Sequence, residues 1–381
     1  WHNWGWQKQF NYSKADSTQI WNDYKKVFHE MIPKTLDSLL PKEKNIYWSS
    51  SPSIGWGRKE SLTQGDSHYW GVWWGKEPFE IYEKKVGRFM SEYGFQGMPN
   101  LETLQKVMRK EDLNFTSEAF KNHQKHPTGY ETINEYMERD YEVPKDIEDY
   151  LYVSQLLQAR GMKTAIEAHR RAKPYCMGTL YWQFNDCWPV TSWSSLDYYG
   201  NWKAFHYQAK RSFENLLLSV NEENEIYKVF LVNDNFESYS VRLELELLSF
   251  DGKSLWENSK EVTVKENTSI NVYEIPKDEF EKFDLKSSVL KVNWEEVKIN
   301  YFFAKPKDLK LQKPNIEIKI INDFMIEISS DVLAKDVFLS SENEVFFEDN
   351  YFDLLPNDKR IIKLSKAAKE IKVKSLFDTI K

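Results

Sequence analysis

Apolar residues in the first half of the chain recur in two ways. Ile20, Trp21, Tyr24, Val27, Phe28 and Met31 fall at helical spacing, and Pro33 then closes the run, which predicts an amphipathic helix. The second kind is a short apolar run ending in small polar or aromatic residues. It occurs at Asn45-Ile-Tyr-Trp-Ser-Ser-Ser-Pro52, Ser67-His-Tyr-Trp-Gly-Val-Trp-Trp74, Arg88-Phe-Met-Ser-Glu-Tyr-Gly94 and Cys176-Met-Gly-Thr-Leu-Tyr-Trp-Gln-Phe184. Each reads as a buried strand whose C-terminal end opens into a loop. Helical stretches are expected at roughly 79–87, 100–110, 116–124 and 145–172. Strands alternating with helices predict a parallel sheet, and four such units make half of a TIM (β/α)8 barrel with its polar residues at the strand ends. A doubly wound sheet is disfavoured, since no glycine-rich phosphate loop follows any of the four strands.

Near residue 216 the pattern changes to strict alternation. Val241-Arg-Leu-Glu-Leu-Glu-Leu-Leu248 precedes the turn Asp251-Gly252, as in an antiparallel hairpin. A charged, proline-bounded connector, Lys305 to Pro314, separates this from Asn315-Ile-Glu-Ile-Lys-Ile320 and Glu370-Ile-Lys-Val-Lys374. The expected fold is therefore α/β followed by all-β. Residues 1–215 are the C-terminal half of a barrel, 216–307 an immunoglobulin-like β-sandwich, and 308–381 a second, smaller one.

Composition narrows the function. A net charge of −7 argues against nucleic acid as a partner, because phosphate recognition concentrates positive charge. The apolar runs are far shorter than the roughly 18 residues of a membrane span. Cys176 and Cys187 are too few for a disulfide framework. The chain opens on Trp1 rather than Met, so its natural N-terminus is expected to lie upstream, and compartment (periplasmic, extracellular or lysosomal-type) stays open. The 15 Trp lie mostly before residue 203, which fits a sugar site, where an indole face packs on a pyranose. His123 and His126 have metal-compatible spacing on an expected helix but no evident third ligand, so no metal is assigned, and no cofactor fingerprint occurs.

Ser91-Glu-Tyr-Gly-Phe-Gln96 places a carboxylate at a strand end directly before a glycine turn. This segment resembles the nucleophile segment of glycoside hydrolase family two. Tyr181-Trp-Gln-Phe-Asn-Asp-Cys-Trp-Pro189 with the stretch Ser192 to Tyr207, and Gly65 to Gly75, are similar to strands eight and six of its β-mannosidase branch. The resemblance covers residues 1–215 by motif and the sandwiches by architecture alone.

The resemblance implies retaining hydrolysis of a terminal β-mannoside, with Glu92 as the nucleophile. It also implies that Tyr69 and Trp70 sit at an aromatic wall, where alternation lets only one of them face inward, and that Trp182 is a platform for the sugar. Trp4 would border the site, and Asn185 and Asp186 would bond hydroxyls unless they serve turn chemistry. The family's acid/base glutamate ends an Asn-Glu motif that precedes the nucleophile. No such motif stands before the first helix; Glu30 and Glu135 are poor substitutes, so the acid/base is expected upstream of Trp1 and the chain alone is expected to be inactive. An exo-β-glucosaminidase or β-galactosidase is the alternative enzyme, and a non-catalytic carbohydrate-binding or structural module the alternative of another class.

Overall fold

The computed structural model describes residues 6–41, 46–52, 54–295 and 297–380. The helix Lys14–Lys25 starts where Ser13 and Asp16 form a reciprocal capping box. It does not stop at Pro33. A π-helical segment, Lys26–Met31, leads into a further helix, Ile32–Leu39, with Pro33 in its first turn, where a missing N–H leaves no bond unmade. The expected apolar stripe is real but unburied: Trp21, Val27, Phe28 and Met31 are each more than a third exposed.

Three of the four expected strands lie side by side in parallel. Ser67–His68 pairs with Met90–Glu92, and Met90 bridges in turn to Thr179. The backbone ladder continues past these short elements, with Tyr69 N–H donating to Glu92 O, Leu180 N–H to Met90 O and Trp182 N–H to Tyr93 O, each at 2.8 Å. The fourth expected strand is not formed. Asn45 falls outside the described residues, and 46–52 run without strand pairing. Pro52 lacks a donor for a ladder, and the Ser50 hydroxyl donates to Pro52 O within a local turn.

The long expected helix is present as Ile147–Arg171, with the Asp146 carboxylate accepting from the N–H groups of Glu148 and Asp149. The other helices are shorter than their sequence patterns: Phe79–Glu83 is a 3-10 turn, and Leu101–Gln105 and Glu118–Asn122 are single turns and a little more. The long helix is buried on most of its surface behind the parallel strands. Polar residues on it therefore need partners, and several find them. His169 Nδ1 meets Thr179 Oγ1 at 2.9 Å, and Thr179 Oγ1 also meets Tyr93 OH at 2.7 Å. Burial pushes His169 down to about 3, so the imidazole is neutral there.

From Leu216 the chain is antiparallel. Leu216–Glu223, Ile226–Asn233 and Thr268–Pro276 form one sheet, and Ser254–Val264, Tyr239–Ser249, Ser288–Trp294 and Val297–Phe302 the facing one. Leu243, Leu245 and Leu247 point into a core around Trp294 and Phe280, while Arg242 and Glu244 between them face water. A second pair of sheets follows. Ile316–Asn322, Met325–Ser330 and Lys359–Lys363 lie opposite Phe352–Leu354, Ala334–Ser341 and Ile371–Lys374, with a separate core of Ile326, Ile328, Val337 and Leu339.

Both sandwiches dock on the helical part. Arg170 donates to Ser212 O and pairs with Asp234 at 2.9 Å, and Tyr152 OH donates to Asp336 O at 2.5 Å. A cavity of about 1260 Å3 lies in the seam, lined among others by Glu83, Arg160, Glu167, Arg171, Tyr301 and Lys335. Several of its charges are paired: Arg171 with Glu83 at 3.0 Å, Lys163 with Glu167 at 2.8 Å and Lys335 with Asp353 at 3.3 Å.

One close approach sets how near the long helix comes to the 3-10 turn Phe79–Glu83. A Cβ on Gly161 would lie 2.4 Å from Phe79 Cε1, and Phe79 itself stands edge-on to Phe95 at 5.0 Å. Gly161→Ala is expected to lower stability by about 1–3 kcal/mol through overpacking, although alanine favours a helix by about 1 kcal/mol over glycine. Denaturant unfolding measures it, and Phe79→Leu in the Gly161→Ala background should recover part of the loss.

Candidate active site

Parallel pairing and the two-residue period of a strand decide what surrounds Glu92. Tyr69 N–H bonds Glu92 O along the backbone, so the side chains of Ser67 and Tyr69 turn one way and that of His68 the other. His68 Nδ1 consequently lies 2.6 Å from Glu92 Oε2. Both side chains are mostly enclosed, with 17% of His68 and 20% of Glu92 exposed, and Glu92 keeps an open edge toward solvent.

Behind His68 stands Asp66. Its Oδ2 accepts from the hydroxyls of Ser51 and Ser91, each at 2.5 Å, and Ser51 Oγ is also 3.1 Å from His68 Nε2. On the other side of Glu92, Gly94 packs against the Trp182 backbone so closely that a Cβ would lie 2.2 Å from Trp182 O. Glycine is needed there for the approach. The Trp182–Gln183 peptide is cis, and the Trp182 ring is 44% exposed at the end of its strand. The group thus offers a carboxylate with one oxygen held by a donor, beside an accessible indole. Among the described residues, no three His, Cys, Asp or Glu side chains converge as a metal would need, and no helix is long and apolar enough to cross a membrane.

Family models match both sandwiches: a mannosidase Ig/CBM-like domain over residues 225–308 and an Ig-fold domain of the Ig_mannosidase type over 311–379. β-Mannosidase B of Aspergillus niger is 26% identical over 387 residues, covering 92% of this chain and 45% of that protein. The β-mannosidase of Capra hircus is 30% identical over 308 residues, covering 73% of this chain and 35% of its own. The crystal structure of a β-D-mannosidase from Dictyoglomus thermophilum superposes with a TM-score of 0.82 at 30% identity, over 92% of this chain and 44% of that one. The chain belongs to the β-mannosidase family of glycoside hydrolase family two. It spans less than half the length of each of these relatives. The exo-chitosanase CsxA of Amycolatopsis orientalis, with a TM-score of 0.63 at 15% identity over 78% of this chain and 45% of its own, shares the fold alone.

Within this β-mannosidase family chain, the residues singled out from sequence separate. Glu92 and Trp182 stand together at neighbouring strand ends. Tyr69 does not join them: its hydroxyl donates to Glu77, its ring lies edge-on to Tyr82, and burial followed by the Glu77 carboxylate pushes its hydroxyl well above the ordinary value. Trp70, 9% exposed, packs its ring against Trp193 at 6.1 Å and is a support rather than a surface. Asp186 is also corrected. Its carboxylate takes the Ser192 hydroxyl at 2.5 Å, the Gln183 amide at 3.1 Å and Lys125 at 3.3 Å, which is loop-holding chemistry in a buried place. Asn185 is exposed, and Trp4 lies outside the described residues.

Glu135 is committed to Lys76 at 2.6 Å and Arg139 at 2.5 Å on the helix Gly129–Asp140, and Lys76 foremost lowers its carboxyl. Glu30 lies in the exposed segment Lys26–Met31. His123 and His126 fall just past the helix Glu118–Asn122, not on it; His123 Nδ1 meets Pro189 O, and His126 is packed edge-on between Trp73 and Trp74.

Sequence reasoning missed His68, Asp66 and the two serines, and it also missed Lys203. This lysine is buried, and Nζ donates to Gly97 O at 2.8 Å and Ser194 O at 2.7 Å, tying the segment after Glu92 to the loop after Trp182. Burial pushes it down to about 7, opposed by Asp186 and Asp197. A neutral amine has two N–H donors, matching the two carbonyls.

The folded value of about 7 lies below the ordinary lysine value of 10.5, so between them the unfolded chain binds more protons and stability rises with pH. Lys203→Met should remove that rise. It should also lower stability throughout, because two buried carbonyls lose their donor. Urea midpoints measured across the window compare the slopes; parallel curves for the two proteins would contradict the assignment.

Proposed function

We propose that this chain carries the nucleophile side of a retaining β-mannosidase site, acting on a terminal β-mannoside as part of a longer polypeptide. The observation that carries the reading is the setting of Glu92: the end of a parallel strand, one carboxylate oxygen engaged by His68, and an exposed Trp182 at the end of the neighbouring strand. In this reading residues 1–215 are the C-terminal half of a (β/α)8 barrel, with the three parallel strands as part of its wall, and 216–307 and 308–381 are its accompanying immunoglobulin-like domains.

Glu92 attacks the anomeric carbon and forms a glycosyl-enzyme ester while a second carboxylic acid, about 5–5.5 Å away, protonates the leaving oxygen. Water, activated by that second group as base, then releases mannose with its configuration retained. Glu135 is tied up in ion pairs and Glu30 stands on the exposed helical segment, so the acid/base is assigned to residues outside 1–381. Trp182 packs on the sugar face. Substrate choice is tested with nitrophenyl glycosides on the full-length polypeptide; preference for a β-glucosaminide or β-galactoside would move the assignment to a sister activity.

Glu92→Ala in that polypeptide should lower turnover on an aryl β-mannoside by at least about 10³-fold, and azide should restore part of it by occupying the vacated volume. The rescued product should be the α-mannosyl azide. A variant keeping more than about a tenth of the activity would remove Glu92 from the nucleophile role.

Trp182→Ala should weaken mannose-like inhibitors by about 2 kcal/mol while leaving the melting temperature near its original value, since nearly half of the ring is already solvent-exposed. Unchanged affinity with collapsed stability would make Trp182 a core residue.

A further inference from the structure

Counting hydrogens around His68 says more about Glu92 than proximity alone. A serine hydroxyl has one hydrogen to give. That of Ser51 lies on the 2.5 Å contact to Asp66 Oδ2, and that of Ser91 on the other 2.5 Å contact to the same oxygen. Ser51 also meets His68 Nε2 at 3.1 Å, which links the imidazole to Asp66. An ionised Glu92 is acceptor-only, so Nδ1 is the donor across the 2.6 Å contact. The network fixes the His68 ring between Ser51 on one side and Glu92 on the other, with Nδ1 toward the Glu92 carboxylate.

We propose that His68, oriented by Asp66 through the Ser51 hydroxyl, is a positioning residue for Glu92: it holds Oε2 and leaves Oε1 as the attacking atom. The proposal rests on Glu92 being the nucleophile. As the bond from Oε1 to the anomeric carbon forms and the bond from that carbon to the leaving oxygen breaks, Oε2 becomes the ester carbonyl and His68 keeps its proton. The leaving oxygen takes its proton from the separate acid/base carboxylate. In the second step negative charge returns to Glu92, and the hydrogen bond already aimed at Oε2 strengthens as it does, in the manner of a preorganised donor. Asp66 is mostly enclosed and is held by two hydroxyls, that of the part-buried Ser91 and that of the exposed Ser51, so the donor does not have to be reoriented during the reaction.

The test compares three substitutions at one position in the full-length polypeptide. Asparagine places an amide N–H where the imidazole has Nδ1–H; glutamine places one nearer to Nε2. His68→Ala is expected to lower kcat on an aryl β-mannoside by about 10²–10³-fold, with KM changed by less than about threefold. His68→Asn should recover about tenfold of that loss and His68→Gln none. A merely structural role for His68 would not distinguish the two amides. Recovery by glutamine equal to that by asparagine, or a His68→Ala protein within about threefold of the original kcat, overturns the proposal. Should His68→Ala fail to fold, the asparagine and glutamine variants decide between themselves. Glu92→Ala is run alongside. If it stays active the nucleophile reading itself fails, whereas an inactive Glu92→Ala with an active His68→Ala rejects only the positioning role.

Discussion

Buried backbone carbonyls left over by the short parallel ladder are the constraint around which the Glu92 side of this molecule is arranged. After Glu92 the chain leaves the parallel ladder, and so does the loop after Trp182, yet both stay inside the protein. Phe95, Trp193 and Ser194 present their carbonyls to one side chain, Gln158, whose amide nitrogen reaches all three at 2.8–3.2 Å. Lys203 takes Gly97 and the second lone pair of Ser194. Without these two donors several carbonyls would be stranded, at a cost of about 1–3 kcal/mol each. Gly97 is part of the same solution, because a Cβ there would sit 2.3 Å from Gln158 Oε1. The long helix is thus a source of donors as well as of apolar cover.

That dependence extends to the C-terminal sandwich. Gln155, one turn before Gln158 on the same helix, donates to Asn100 and accepts from Ala204 N–H and from Tyr351 OH of the last sandwich. Tyr207 OH reaches Phe347 O, and Lys374 reaches Asp149. The sandwich therefore closes the outer side of the elements that hold the Glu92 segment. Its contacts are polar, around a cavity in the seam, and Arg211 pairs with Asp349 across it at 2.6 Å. Changes in that seam would reach Glu92 through the helix rather than through any direct contact.

How much of this could be read from the chain depended on whether one period dominated. In Val241–Leu248 alternation is unbroken, and the strand Tyr239–Ser249 follows it. The helix Ile147–Arg171 was legible from its length and its acidic start, with Asp146 at the cap. Residues 45–52 misled because an apolar triplet before serines looks like a strand end, whereas Pro52 and the Ser50 turn supply local bonds instead of a ladder. Pro33 misled in the opposite direction: proline stops a helix it would enter in mid-run, but is accommodated where a first turn begins, as it is here after the wide turns of Lys26–Met31.

The same rule of alternation was available at the site and was not pressed far enough. With Tyr69 bonded by its backbone to Glu92, a period of two sends the Tyr69 ring back into the packing around Tyr82 and gives the neighbouring position, His68, to the carboxylate. Aromatic residues drew attention because a sugar wants a flat apolar face, but flatness serves a core equally well, and Trp70 and Tyr69 are spent there. Asp186 illustrates the converse. A carboxylate near a binding face is available to a ligand only if the loop does not need it, and this loop, with Ser192, Gln183 and Lys125 converging on it, does. What marks His68 and Asp66 is not residue type but place: both lie on the segment that runs alongside the strand ending at Glu92. The register of these two segments places an imidazole, not a phenol, against Glu92.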